Sequence, residues 1–158
     1  MHFITGGAFN GKKEWVIKHY EAEGKICWLS AYNGEPIPQD INDNGNDIVI
    51  LEGIEIWIKK LIEQYDAIET LKVWNHWLED WIRWETSVKN RKLVVIGTDI
   101  SKGIVPMERE NRLWRDTTGW VYQKIASKAE KVDIIWYGLN QTIKEKGMEQ
   151  NETVYENR

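Results

Sequence analysis

The chain has 158 residues, a size that one domain accommodates and that lets folding hide roughly 70% of the unfolded surface. Hydrophobic residues make up 42% and charged residues 29%, and a net charge of −4 argues against nucleic acid as a partner, since such binders carry a basic face. No apolar run approaches the ~20 residues that span a bilayer, the first residues lack the features of an export signal, and the lone Cys27 cannot close an internal disulfide, so a cytoplasmic protein is expected.

Phe3 to Thr5 is a short apolar strand ending at Gly6-Gly7. After Gly11-Lys12 a helix is predicted to about Glu23, with Trp15, Val16, His19 and Tyr20 at helical spacing and Gly24 as its stop. Lys25 to Ala31 reads as a second strand, in which Cys27 is a buried small hydrophobe. The turn formers Asn33-Gly34-Glu35-Pro36-Ile37-Pro38 and Asn42-Asp43-Asn44-Gly45-Asn46 then predict a loop. Asp47 to Gly53 is a third strand, whose continuous core Ile48-Val49-Ile50-Leu51 suits burial on both faces. Helix is predicted from Ile54 to about Val88, with a break near Tyr65-Asp66. Within it Leu71, Trp74, Trp77, Leu78, Trp81, Trp84 and Val88 form one stripe, suited to a core, to an oligomer interface or to stacking on a flat macrocycle. Leu93 to Ile96 is a fourth strand, Glu108 to about Ala129 a helix, and Val132 to Tyr137 a fifth strand. This alternation predicts an α/β fold, a mainly parallel sheet covered by helices on both faces, and the G-x-x-x-x-G-K spacing from Gly6 to Lys12 between the first strand and helix makes it of the P-loop NTPase-like kind. One nucleotide-binding domain is expected over residues 1–144, and a polar C-terminal tail over residues 145–158.

Gly6-Gly7-Ala8-Phe9-Asn10-Gly11-Lys12 has the spacing of a phosphate-binding loop, and it falls between a strand and a helix. Its glycines let main-chain amides turn inward around phosphate oxygens, and the helix start adds positive potential. Residues Gly6 through Lys13 are therefore candidates for holding ATP or GTP, with Lys12 reaching the outer phosphates. Lys13 stands where a Ser or Thr hydroxyl would ligate Mg²⁺, and an ammonium, having donors only, cannot replace it. No residue is assigned as a metal ligand, and any Mg²⁺ would lack its usual partner in the loop. Glu52 and Asp99 follow apolar strands and should face the loop, because open α/β sheets take ligands outside the carboxyl ends of their strands. Each would accept a proton from an attacking hydroxyl or bind a metal through water, or else cap the following helix. Arg112, Arg115 and Asp116 share one helix face, as an ion-pair cluster or as a contact to phosphate or a neighbouring subunit.

Thr5-Gly6-Gly7-Ala8, Gly103-Ile104-Val105-Pro106, Asn111-Arg112-Leu113-Trp114-Arg115-Asp116, Gly119, Gln123 and Ala126 occur in an order and at separations that resemble the adenosylcobinamide kinase / adenosylcobinamide-phosphate guanylyltransferase family. Gly138 and Lys144 echo that family's closing strand and short basic end. The resemblance implies a P-loop α/β homo-oligomer of cobalamin biosynthesis that phosphorylates the side-chain hydroxyl of adenosylcobinamide and then transfers GMP through a guanylylated histidine. It also implies that Ser30 and Ala31 lie beside the nucleotide, that Glu52 acts near metal or the reacting hydroxyl, and that Asp99 stands in for a family Glu. Lys12, Glu52 and Asp99 are thus the expected catalytic residues. The family's histidine-bearing helix is replaced here by the loop from Tyr32 to Asn46, which has no histidine, and His2, His19 and His76 stand in other contexts. Guanylyl transfer through histidine is therefore expected to be lost, leaving a nucleotide-dependent kinase. The alternative is a non-catalytic relative that binds nucleotide or corrinoid as a regulatory or structural partner.

Overall fold

The computed structural model describes residues 1–41, 45–101 and 107–147. Five parallel strands follow one another as β1 (His2–Gly6), β2 (Ile26–Ser30), β3 (Ile48–Glu52), β4 (Lys92–Thr98) and β5 (Lys131–Trp136). A sixth, β6 (Leu139–Glu145), turns back antiparallel against β5, giving the order β2-β3-β4-β1-β5-β6. The helices are α1 (Lys12–Tyr20), α2 (Ile54–Gln64), α3 (Ala67–Ser87) and α4 (Arg109–Lys128). This is an α/β fold of the P-loop-like kind.

The two faces of the sheet are covered unequally. Because strand side chains alternate, Ile48, Ile50, Val94 and Ile96 pack with Val16 and Tyr20 of α1, while Val49, Leu51, Leu93 and Val95 pack with α2, α3 and α4. The chain leaves β1 outward to β2 and returns through β3 and β4. Reversing direction with crossovers of one hand sends the later helices to the face opposite α1. The tryptophan stripe of α3 belongs to this core: Trp74, Leu78 and Trp81 are wholly buried and Trp84 nearly so. Trp74 and Trp81 meet edge to face at 5.6 Å.

Indole N–H groups also explain how an irregular segment is held. Trp57 donates to the Glu35 carbonyl at 2.9 Å and Trp81 to that of Pro38 at 2.9 Å, pinning the loop after β2 onto the helical layer. Ile37 and Ile41 pack against the same core.

Several boundaries differ from expectation. Helix α1 stops at Tyr20, not Glu23, since Glu21 to Gly24 form turns and Gly24 adopts φ 158°. The long helical stretch is indeed two helices, and Asp66 caps the second by accepting from the Glu69 N–H at 2.8 Å. Cys27 is half-buried, not fully enclosed. Strand β6 had no counterpart among the predicted elements and occupies residues 139–145, overlapping the start of the expected tail.

At the amino ends of the strands lies a buried polar chain. His2 contacts Tyr20 Oη through Nδ1 at 2.6 Å and Asp133 Oδ2 through Nε2 at 2.5 Å. Thr142 and Asn140 of β6 donate to the other oxygen of Asp133 at 2.6 and 3.1 Å. An ionised carboxylate only accepts, so the imidazole proton sits on Nε2 and Nδ1 accepts from Tyr20. Burial lowers the His2 pKa to about 4, against the opposing pull of Asp133. Burial pushes Asp133 upward, but the hydrogen bonds from Thr142, Asn140 and His2 outweigh it and hold the carboxyl below its usual range.

Candidate functional site

Adjacent central strands β1 and β4 send their following helices to opposite faces, which opens a crevice at their carboxyl ends. The loop after β1 occupies that crevice. Gly6 has φ 144°, and a Cβ there would strike the Ile135 carbonyl oxygen, so the strand leaves the sheet only because this residue is glycine. Gly11 begins α1 with φ 90°. Between them the loop is braced by the β5–β6 turn: Asn10 accepts from the Gly138 N–H at 2.8 Å through its carbonyl and from the Tyr137 N–H at 3.4 Å through Oδ1. On its other flank the Asp99 N–H donates to the Gly6 carbonyl at 2.9 Å.

Lys12, in the first turn of α1, folds back over the loop. Its ammonium donates to the carbonyls of Gly7 at 2.7 Å and Gly6 at 3.3 Å. Burial lowers the Lys12 pKa, while Glu55, Glu52 and Asp99 act in the opposite direction. A positive charge partly withdrawn from water beside three carboxylates is poised to exchange carbonyl partners for the oxygens of an anion. A cleft of ≈590 Å³ lies beside it, between loop residues 8–14 and the side chains of Tyr32, Glu52, Glu55 and Thr98. A larger hollow of ≈760 Å³, bordered by His2, His19 and Tyr20, lies at the amino ends of the strands, the wrong end for a ligand in an open α/β sheet.

The predicted residues separate into those at the cleft and those turned away. Lys12 and Glu52 line it, with the loop from Ala8 to Lys13. Glu52 does not cap α2, whose N-cap is Gly53; its Oε1 accepts from the Trp28 indole N–H at 3.2 Å. Asp99 stands behind the loop, its Oδ1 accepting from the Ser101 N–H at 2.9 Å and hydroxyl at 2.5 Å, and the N-cap of α4 is Glu108 instead. Ser30 pairs in register with Glu52 and keeps its hydroxyl buried without a hydrogen-bond partner; Ala31 is buried. Phe9 projects fully into solvent at φ 61°. Lys13 lies over the Trp28 ring, 5.6 Å from its centroid. Arg115 pairs with Asp116 at 3.1 Å, and Arg112 donates to the Met107 carbonyl. The Gly103–Pro106 stretch lies outside the described residues.

Four residues of the site escaped the sequence reading: Trp28, Tyr32, Glu55 and Thr98. Glu55, only 3% exposed, accepts from the Tyr32 hydroxyl and, at 3.0 Å, from the Thr98 N–H. Tyr32 also meets Thr98 Oγ1 at 3.1 Å, and Tyr122 donates to the Thr98 carbonyl at 2.7 Å. Burial, then the bond to Glu55, raises the Tyr32 pKa; burial does the same for Tyr122. Both phenols therefore stay protonated and act as donors at neutral pH.

None of the three histidines borders the cleft. His2 sits at the start of β1, His19 stacks on Trp15 at 4.8 Å near the end of α1, and His76 is exposed on α3 beside Asp80. Nor does the donor set suit the magnesium ion common to phosphate-binding loops. The hydroxyl position holds an ammonium, which has no lone pair to offer, and Glu52 at the cleft has one oxygen engaged by the Trp28 indole N–H.

A mostly parallel sheet with a glycine turn between its central strand and first helix defines a P-loop-like α/β protein. Residues 3–143 match the family described as Cobinamide kinase / cobinamide phosphate guanyltransferase, and the chain belongs to that family. The bifunctional adenosylcobalamin biosynthesis protein CobU of Escherichia coli (strain K12) is 29% identical over 154 residues, covering 91% of this chain and 85% of its own. The chain is thus a cobalamin biosynthesis protein of the cobinamide kinase type, in a family of transferases. Among the described residues, no helix is long and apolar enough to cross a membrane.

Proposed function

We propose that this protein is a nucleotide-dependent kinase that phosphorylates the side-chain hydroxyl of adenosylcobinamide and does not perform the guanylyl-transfer step. The observation that carries the reading is the Lys12 ammonium, whose hydrogen bonds among the described residues go to loop carbonyls, facing a cleft with Glu52. In this reading the amides from Gly7 to Lys12 cradle the phosphates of ATP or GTP, and Lys12 exchanges its carbonyl contacts for phosphate oxygens. Glu52 lies at the cleft as the acceptor for the proton of the attacking hydroxyl, while Asp99 tunes Lys12 and fixes Gly6. Ser30, paired in register with Glu52, and Ala31 after it are assigned a place beside the nucleotide.

Loss of guanylyl transfer is supported by the pinned loop after β2, which carries no histidine, and by the position of His2 and His19 at the far end of the sheet. A covalent route needs a nucleophile at the nucleotide. We further assign the catalytic unit to residues 1–144 and expect a cytoplasmic homo-oligomer.

The test is incubation with adenosylcobinamide and γ-labelled ATP or GTP. Label should pass to the corrinoid and do so far more slowly with Lys12→Ala; α-labelled GTP should leave no acid-labile label on the protein. Absence of corrinoid phosphorylation at high protein concentration would refute the kinase. Retained nucleotide binding would then favour the non-catalytic alternative, for which the ammonium at position 13 is the supporting feature.

A further inference from the structure

The residue after Lys12 and the carboxylate across the cleft are joined through one side chain. Trp28, on β2, turns its indole edge to Glu52 Oε1 at 3.2 Å and its face to the Lys13 ammonium, 5.6 Å from the ring centroid. The negative face of the ring attracts the cation while its positive edge donates to the carboxylate, so Trp28 serves both partners at once. Lys13, at the position where a hydroxyl would ordinarily face a metal, and Glu52, at the end of β3, are thereby linked through Trp28. A cation already occupies this side of the loop, covalently attached to α1.

We propose that Lys13, positioned by Trp28 and Glu52, takes the place of the loop-bound divalent ion, so that this protein binds the polyphosphate of its nucleotide without Mg²⁺. The inference rests on the assignment of the Gly6–Lys13 loop as the phosphate site. Lys12 and Lys13 are consecutive in the first turn of α1, where the helix dipole adds to their charge. A triphosphate entering the cleft meets two ammonium groups from the chain. A magnesium ion arriving with it gains no protein oxygen at position 13 and meets a like charge there. Glu52 in this arrangement orients Lys13 through Trp28 and keeps a negative charge beside it.

The experiment measures dissociation constants for ATP and for inorganic tripolyphosphate by calorimetry, with matched ionic strength, in excess EDTA and in excess Mg²⁺. Both ligands should bind the unaltered protein with constants differing by less than about threefold between the two conditions. Lys13→Ser should bind at least about tenfold more weakly in EDTA and recover that loss in Mg²⁺. Trp28→Phe, which keeps a ring but removes the donor, should shift in the same direction by a smaller factor. Tightening of the unaltered protein by more than about tenfold in Mg²⁺ would overturn the proposal while leaving the phosphate site intact. A Lys13→Ser protein as indifferent to Mg²⁺ as its parent would overturn it too. If tripolyphosphate and ATP both fail to bind under either condition, the phosphate site itself is wrong, and this inference falls with it.

Discussion

Glu55 accepts the main-chain N–H of Thr98 at 3.0 Å, so the first turn of α2 is tied to the last residue of β4 beside the cleft. The same carboxylate takes the Tyr32 hydroxyl, from the start of the loop after β2. Removing it leaves the part-buried Thr98 N–H without this acceptor, at about 1–3 kcal/mol, whereas the hydroxyl of Tyr32, a residue 53% exposed, keeps Thr98 Oγ1 and reaches water. Glu55→Ala should therefore lower unfolding stability by about 1–3 kcal/mol in urea titrations. Glu55→Gln keeps an oxygen for Thr98 and should cost markedly less; equal losses for the two variants would count against this account.

Lys12 makes the second prediction. Lys12→Ala removes an ammonium whose described hydrogen bonds run only to Gly6 and Gly7, and nucleotide affinity should fall at least about tenfold with little change in stability. Lys12→Arg should not restore it, because a planar fork cannot occupy the place of a compact point charge. Titration of the tryptophan fluorescence with ATP would register both.

The buried chain through His2 sets a pH dependence whose sign follows from the shifts. A histidine lowered to about 4 leaves the folded state resisting a proton that the unfolded chain accepts near 6.5. Stability is thus full above pH 6.5, declines as pH falls toward 4, and loses roughly 3 kcal/mol over that window. Asp133, also lowered, adds a further loss below its ordinary range. His2→Gln should flatten the decline between pH 6.5 and 5, where few carboxylates titrate, as measured by urea midpoints at successive pH values. An unchanged slope would exclude His2 as the source.

Gly97 supplies a packing test. A Cβ at this position would lie 2.7 Å from Tyr122 Cζ and 2.9 Å from Ile54 Cγ1. Gly97→Ala should cost about 1–3 kcal/mol by forcing these neighbours apart, with a corresponding drop in melting temperature. Gly97→Ala combined with Tyr122→Phe should recover little, since the crowding involves the ring and Ile54 as well as the hydroxyl.

The parallel character of the sheet was readable because Ile48 to Leu51 and Leu93 to Ile96 are apolar at every position, as strands covered on both faces must be, whereas the order of the strands was not. The loop was readable because its glycines and Lys12 are adjacent in the chain. Glu55 was not, because a carboxylate in the first turn of an amphipathic helix looks like a solvated group favoured by the dipole; only the fold places Thr98 and Tyr32 against it. The Lys13–Trp28–Glu52 relationship joins residues 15 and 24 positions apart through side-chain geometry that no local period encodes. Strand β6 escaped because Asn140, Gln141, Thr142 and Lys144 dilute any apolar alternation on an edge with little to bury. The tryptophan stripe was legible as a stripe, and its burial decides for a core over a stacking platform.

That inconspicuous last strand reaches both poles of β1. Its turn steadies Asn10 in the glycine loop, while Asn140 and Thr142 hold the carboxylate that accepts from His2. Trimming the chain back to Trp136 would therefore not shed a dispensable fringe. It would release the mouth of the cleft and expose a hydrophilic knot at the opposite rim in a single cut, so shortened versions of this protein made for crystallisation should retain at least Glu145.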